Sequence, residues 1–214
     1  MNTSATPFTL RQMKHLEEAF RLGAADASQA MARWLEVPSL ITIESIDQLP
    51  IDEAPGILGS SDAPLCFCSM AMTGGLTGMM IFAFDDACGF SLTDLLLNHP
   101  LGTAREWGEV ECSAALESTN IIGCSYLNSL ARHLPESLEL VPSPPLFRRE
   151  FAGSLLQAAF MDQAMAANFI FLARARFEIR GEPLNWSLLF VPDAPSLARL
   201  SQMFPASDEA GYTG

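Results

Sequence analysis

The sequence is poor in positive charge. Its 214 residues include 12 lysines and arginines against 25 aspartates and glutamates, which gives a formal net charge of −13. A protein that binds duplex DNA needs a basic surface to displace condensed counterions, so the composition argues against a nucleic-acid partner. A local basic patch for an acidic partner stays open, because positive charge gathers in the C-terminal third at Arg148, Arg149, Arg174, Arg176 and Arg180. A solvated face is the simpler interpretation of these arginines.

Long apolar runs are also missing. No stretch approaches the ~20 apolar residues that span a bilayer, and the first residues lack a basic start followed by an apolar segment. We therefore expect a cytoplasmic protein with no membrane association. The chain is nevertheless 49% hydrophobic, so it can bury enough apolar surface to offset the entropy lost on folding.

The usual signatures of metal and nucleophilic chemistry are absent. The five cysteines are odd in number and form no Cys-x-x-Cys, and the three histidines are scattered, so we predict reduced thiols and no metal site. The sequence has no Gly-x-Ser-x-Gly, no phosphate-binding Gly-Lys-Ser or Gly-Lys-Thr, and no His-Glu-x-x-His. The glycines between 74 and 78 precede a strand-like run, which favours a hairpin turn over a phosphate loop.

Periodicity predicts an alternation of long helices and strands. Helices are predicted over residues 9–35, 90–97, 106–133 and 196–204, and strands over 40–46, 65–72, 76–84, 138–141, 169–179 and 184–191. Residues 47–62 carry the Pro, Gly and Ser of a loop, and residues 208–214 are expected to fray.

The two halves of this pattern repeat. Val37-Pro38-Ser39 recurs as Val141-Pro142-Ser143, 104 positions later, and Phe90-Ser91-Leu92 is echoed by Pro195-Ser196-Leu197, 105 positions later. We predict one α+β domain over residues 1–214, built from repeats at about 9–104 and 105–204. Each αβββα-type repeat is expected to contribute to a continuous, mainly antiparallel sheet with pseudo-two-fold symmetry and two long helices on one face. Two separate sheets remain the alternative.

The middle of the second long helix carries an unusual polar stripe. At about 100° per residue, Glu117, Asn120 and Cys124 point in similar directions, and Ser113 lies on the same stripe. A carboxylate and an amide are thereby presented together. Glu and Asn at this spacing are also common on solvated helix faces, which is the competing interpretation.

Ser113-x-x-x-Glu117-x-x-Asn120, followed by Gly123 and Pro142, resembles the signature of the CheC-type chemotaxis phosphatases, a family that includes CheX and the middle domain of flagellar switch proteins. Together with the duplicated layout, the resemblance covers about residues 10–204. It implies a phosphatase that acts on a phosphorylated CheY-like receiver and ends a chemotaxis or other two-component signal. It also implies that the receiver supplies Mg²⁺ and that this chain needs no cofactor of its own.

The resemblance also implies roles for individual residues. Asn120 would hold a water in line for attack on the receiver's aspartyl phosphate, and Glu117 would pair with the receiver's lysine. Ser113 and Pro142 would support this site, whereas Cys124 is expected to be a small packing residue. In the first half, Glu18 matches the motif but Arg21 replaces the amide, so we predict a single active site.

Two alternatives to a phosphatase stay open. One is a non-catalytic binding module that docks a receiver or a CheD-type deamidase. The other is a flagellar switch component. The identity of the receiver and the oligomeric state are not indicated by the sequence.

Overall fold

A computed structural model describes residues 7–50, 53, 56, 58, 63–134, 138–154 and 169–204. Its helices are α1 (Leu10–Leu35), α2 (Asp86–Leu96), α3 (Glu109–His133) and α4 (Ala194–Met203). Its strands are β1 (Ser39–Pro50), β2 (Leu65–Gly74), β3 (Gly78–Phe84), β4 (Leu140–Pro142), β5 (Leu146–Glu150), β6 (Phe169–Ile179) and β7 (Glu182–Pro192). None of the helices in these ranges is long and apolar enough to cross a membrane.

The strands form one antiparallel sheet whose order confirms the predicted fold class. The order is β1-β6-β7-β3-β2-β4, and β5 pairs with another part of β2. If β1 is exchanged with β4, β2 with β6 and β3 with β7, the strand order is unchanged when it is counted from the opposite edge of the sheet. A pseudo-two-fold axis therefore passes between β3 and β7, and each half donates its first strand to the other half.

The helices pack on one face of this sheet. Their apolar sides are buried against it, and small residues let the two long helices approach each other closely. Thr9 caps α1 in a capping box with Gln12, whose backbone N–H donates to the threonine hydroxyl at 3.3 Å. At Gly23, α1 lies so close to α3 that an added Cβ would come within 2.6 Å of a ring carbon of Tyr126. Glycine at this position permits the close crossing of the two long helices.

Apolar side chains cover both faces of the central strands. In β3, Met80 and Phe82 face the helices, whereas Ile81 and Ala83 belong to a buried cluster on the opposite side, against which Leu58 packs. Such double burial explains why β3 and β7 read as continuous apolar runs in the sequence.

Three predicted boundaries were wrong by about three or four residues, and the others differ by about two residues or fewer. β1 continues to Pro50, so residues 47–50 are strand and not loop, because they pair with β6 as far as Phe169. α2 begins at Asp86, since the Asp85 carboxylate accepts a hydrogen bond from the Cys88 N–H at 2.7 Å and caps the helix. α3 begins at Glu109 and not at residue 106.

The prediction also missed β5 altogether. The remainder of the predicted 47–62 loop lies mostly outside the described residues, and the predicted frayed tail, 208–214, lies entirely outside them. The repeat boundaries at 9–104 and 105–204 stay a prediction.

Candidate functional site

Helix α3 presents its polar stripe away from the sheet. Its opposite side is buried, and the buried residues include Ala115, Ser118, Thr119 and Ile122. Glu117 is exposed, and Asn120, almost one turn further on, is partly exposed. A carboxylate and an amide are therefore both accessible from the same side of the helix.

Gly123 determines how closely α3 approaches the sheet. An added Cβ at this position would lie 2.4 Å from the Met70 sulfur, and Met70 is fully buried in β2. A side chain at residue 123 would push the helix outward and move Asn120 with it. The glycine thus sets the position of the amide relative to β2, a strand of the other half.

Glu117 and Asn120 lie on the wall of a cleft between α3 and the end of β4. This Asn120 cleft has a volume of about 400 Å³ and is lined by Leu116, Glu117, Asn120, Pro142, Ser143, Pro144 and Pro145. Ser143 is hydrogen-bonded to Ala71 of β2 through both its backbone N–H and its hydroxyl oxygen, each at 2.9 Å. The proline-rich wall is therefore fixed to the sheet.

The Asn120 amide has a neighbour in the next turn. The Cys124 thiol donates a hydrogen bond to Asn120 Oδ1, with a sulfur–oxygen distance of 3.6 Å. Partial burial raises the pKa of Cys124 above its usual value, which keeps the thiol protonated and able to donate. Cys124 therefore contacts the predicted catalytic amide, which goes beyond the packing role that the sequence indicated.

Ser113 lies apart from the cleft. It is exposed and lines a second, neighbouring depression between α3 and the C-terminal ends of α1 and α2. Glu117 lines both depressions. The structure thus brings Glu117, Asn120 and Pro142 together in one cleft and places Ser113 beside it.

The equivalent position in the first half is occupied by an ion pair. Glu18 and Arg21 are both exposed, and the Arg21 guanidinium donates to Glu17 Oε1 at 2.7 and 3.0 Å. Arg21 lies on the wall of a cleft of about 340 Å³ between α1 and β1. The fold therefore repeats the cleft, but the first copy has a guanidinium where the second copy has an amide.

Two of the cysteines lie in the hydrophobic core, and one of the arginines forms an ion pair within the fold. Cys66 and Cys68 are buried in the core, and burial raises the pKa of Cys68 to about 12. Arg149 donates to both carboxylate oxygens of Asp86, at 2.8 and 2.6 Å. Among the residues that the structure describes, no three His, Cys, Asp or Glu side chains are grouped as a metal site would require.

The depression beside Ser113 was not predicted from the sequence. Its walls come from the ends of three helices, and the apolar residues Trp34, Leu97 and Val110 that line it are far apart in the chain. The sequence did offer one indication of this depression: large apolar residues stand at helix ends, where polar residues are more usual.

Comparisons with known proteins agree with this architecture. No family model matches the chain. The chain is 26% identical over 200 residues to the CheY-P phosphatase CheC of Bacillus subtilis, a match that covers 92% of this chain and 95% of the relative. Among solved structures, FliY of Thermotoga maritima superposes with a TM-score of 0.76 at 17% identity and covers 93% of this chain and 98% of FliY.

A CheX–CheY–BeF3–Mg²⁺ complex from Borrelia burgdorferi also has this fold, with a TM-score of 0.51 at 14% identity over 83% of this chain and 97% of the matched chain. Fold and comparisons together define an α+β protein with a pseudo-two-fold sheet, a fold that this chain shares with FliY and CheX. Within that class, the chain is similar to CheC, CheX and the FliM middle domain, and the resemblance noted in the sequence is confirmed.

Proposed function

We propose that this protein is a phosphatase that hydrolyses the aspartyl phosphate of a CheY-like receiver at one site, the Asn120 cleft. The observation that carries the proposal is the joint exposure of Glu117 and Asn120 on one cleft wall. It is supported by the similarity of nearly the whole chain to a CheY-P phosphatase, CheC of Bacillus subtilis.

The chemistry suits an amide better than a strong base. Phosphoryl transfer passes through a loose transition state, so the protein contributes mainly by positioning the attacking water. The Asn120 amide can both donate to and accept from that water. The water oxygen forms a bond to phosphorus while the bond from phosphorus to the aspartyl oxygen breaks. The products are the receiver's free carboxylate and inorganic phosphate, and the proton passes to phosphate or solvent.

The other residues of the cleft hold the receiver. The exposed Glu117 carboxylate pairs with the receiver's lysine, and the wall formed by Pro142 limits the positions that the phosphorylated loop can take. Ser113 supports the same contact from the neighbouring depression. The Mg²⁺ ion belongs to the phosphorylated receiver, which is the substrate.

A second candidate is a binding module that docks a receiver, or a CheD-type deamidase, without hydrolysis. It is favoured by the fold that the chain shares with FliM of H. pylori, which has been solved in complex with FliG. Arg21 stands where the first half would need the amide, so one half departs from the motif. Turnover of a phosphorylated receiver separates the two candidates.

The test is phosphate release from phosphorylated CheY-like receivers of the organism that encodes the chain, with Mg²⁺ present. We expect the wild type to accelerate release and Asn120→Ala to reduce kcat about 100-fold or more, because water positioning is lost. Asn128→Ala is the matched control, since Asn128 is an exposed asparagine two turns further along α3. Release at the spontaneous rate with wild-type protein would favour the binding module.

A further inference from the structure

The depression beside the Asn120 cleft is an apolar groove formed by the ends of three helices. Trp34 and Leu35 come from the end of α1, Leu97 follows α2, and Val110, Ser113 and Glu117 come from the start of α3. The groove has a volume of about 520 Å³, which is larger than the Asn120 cleft. This size is sufficient for one or two large side chains of a partner.

The groove exposes apolar surface that folding leaves uncovered. Trp34 is 41% exposed, Leu97 45% and Val110 52%. Single exposed apolar residues are ordinary, but three large ones around one concave surface are typical of an interaction site. The charged residues that line the groove, Glu109 and Glu117, are both acidic. An occupant with an apolar side chain and a neighbouring lysine or arginine would therefore be complementary.

The corresponding surface of the other half is filled by the chain itself. There the Gln12 side-chain amide donates to the backbone oxygens of Ser201 and Phe204, at 2.8 and 3.0 Å. The His15 ring stacks on Phe204 with a centroid distance of 5.5 Å and an interplanar angle of 11°. His15 lies 99 positions before Ala114, a groove residue without a ring. The groove is therefore open in the half that carries Asn120 and closed in the half that carries Arg21.

The groove and the Asn120 cleft share a wall. Glu117 lines both, so the two depressions are continuous across one side chain. A phosphoryl group is much smaller than the protein domain that carries it. A domain that brings this group to Asn120 must therefore also cover the adjoining groove.

We propose that the groove receives an apolar side chain from the receiver's surface beside its phosphorylated aspartate, with an adjacent basic residue of the receiver facing Glu109 and Glu117. This inference rests on the proposed function for the identity of the partner. The groove gives the affinity and selectivity for the receiver, and the Asn120 cleft performs the chemistry.

The test uses full-length protein and the CheY-like receivers of its organism, loaded with beryllofluoride and Mg²⁺ for binding and phosphorylated for turnover. Val110→Ser and Trp34→Ala truncate exposed side chains of the groove. Leu40→Ser is the matched control, since Leu40 is 52% exposed, as Val110 is, but lies on the Arg21 side of the molecule. Unchanged thermal unfolding of the variants excludes misfolding as the cause of any loss.

We expect each groove variant to raise Kd and KM about tenfold, with kcat at saturation unchanged, because burial of the partner side chain is lost. Leu40→Ser should match the wild type. If receivers bind and the groove variants weaken binding, but no turnover occurs, the groove assignment stands and the phosphatase proposal fails.

If turnover occurs and the groove variants leave Kd and KM unchanged, the groove assignment is wrong and the phosphatase proposal stands. Wild-type protein that binds no receiver of the organism overturns both.

Discussion

At the scale of single residues, the orientation of the Asn120 amide decides whether it can hold a water. Its carbonyl oxygen accepts from the Cys124 thiol at 3.6 Å, within the same helix. That contact uses one lone pair of the amide oxygen and leaves the other lone pair and the NH₂ group available. In the proposed mechanism, Cys124 would be a positioning residue that acts through Asn120.

Replacing Cys124 tests this role. Cys124→Ala removes the donor and should lower kcat about fivefold, equivalent to about 1 kcal/mol, while KM for the receiver stays unchanged. Cys124→Ser keeps a donor of similar size and should restore kcat. Steady-state kinetics on a phosphorylated receiver gives both parameters. Equal losses in the alanine and serine variants would show that the thiol only fills space.

The polar stripe could be predicted from the sequence, but the cleft around it could not. Helical periodicity alone places Glu117, Asn120 and Cys124 on one face, and the structure has them there. The opposite wall, Pro142–Pro145, faces α3 only because β4 pairs with β2 and Ser143 bonds to Ala71. Such tertiary pairing leaves no local periodic signal.

At the scale of elements, one carboxylate joins parts of the fold that are distant in sequence. Asp86, the first residue of α2, accepts from Arg149 of β5 and from the Trp107 indole N–H at 2.8 Å, and the Cys66 thiol of β2 contacts it at 3.4 Å. The Arg149 guanidinium above all, and Trp107 after it, lower the pKa of Asp86 to about 2. Asp86 therefore fixes the edge strand β5 to α2 and to the start of α3.

The ion pair and hydrogen bonds of Asp86 should make the free energy of unfolding depend on pH in the acidic range. The folded-state pKa lies below the ordinary value of the unfolded chain, so the stabilisation is complete above about pH 4 and disappears as the pH falls to about 2. Asp86→Asn should cost about 1 kcal/mol of unfolding free energy at pH 7 and almost nothing near pH 2.

Urea unfolding followed by tryptophan fluorescence at several pH values measures the effect. The control is the same substitution in an Arg149→Gln background, where the pH dependence should shrink because the main partner is gone. A loss of stability in Asp86→Asn that is the same at pH 7 and at pH 2 would contradict the assignment.

The same cluster explains why β5 and the start of α3 were missed. In β5, Leu146 is exposed and Arg149 faces Asp86, so the segment lacks the alternation that marks a half-buried strand. Trp107 packs against Phe84, Phe90 and Phe147 before the helix begins. That packing holds residues 106–108 out of the helix although their composition permits it.

At the scale of the whole molecule, the two halves share a topology and differ in their surfaces. The sheet order is symmetric, and a cleft between a long helix and a first strand occurs in both halves. The short repeated motifs in the sequence sufficed to predict this symmetry. The apolar groove could not be predicted, because it depends on whether the end of a short helix covers the neighbouring long helix.

The central claim is that catalysis occurs in one half, at Asn120, and not at the equivalent Arg21. The most direct test is the single-turnover decay of a phosphorylated receiver mixed with excess wild-type, Asn120→Ala or Arg21→Ala protein. The account predicts that Asn120→Ala returns the decay to the spontaneous rate and that Arg21→Ala decays like wild type, because Arg21 is engaged in a surface ion pair with Glu17. The account would be contradicted if the receiver decayed as fast with Asn120→Ala as with the wild type, or if Arg21→Ala slowed the decay as much as Asn120→Ala.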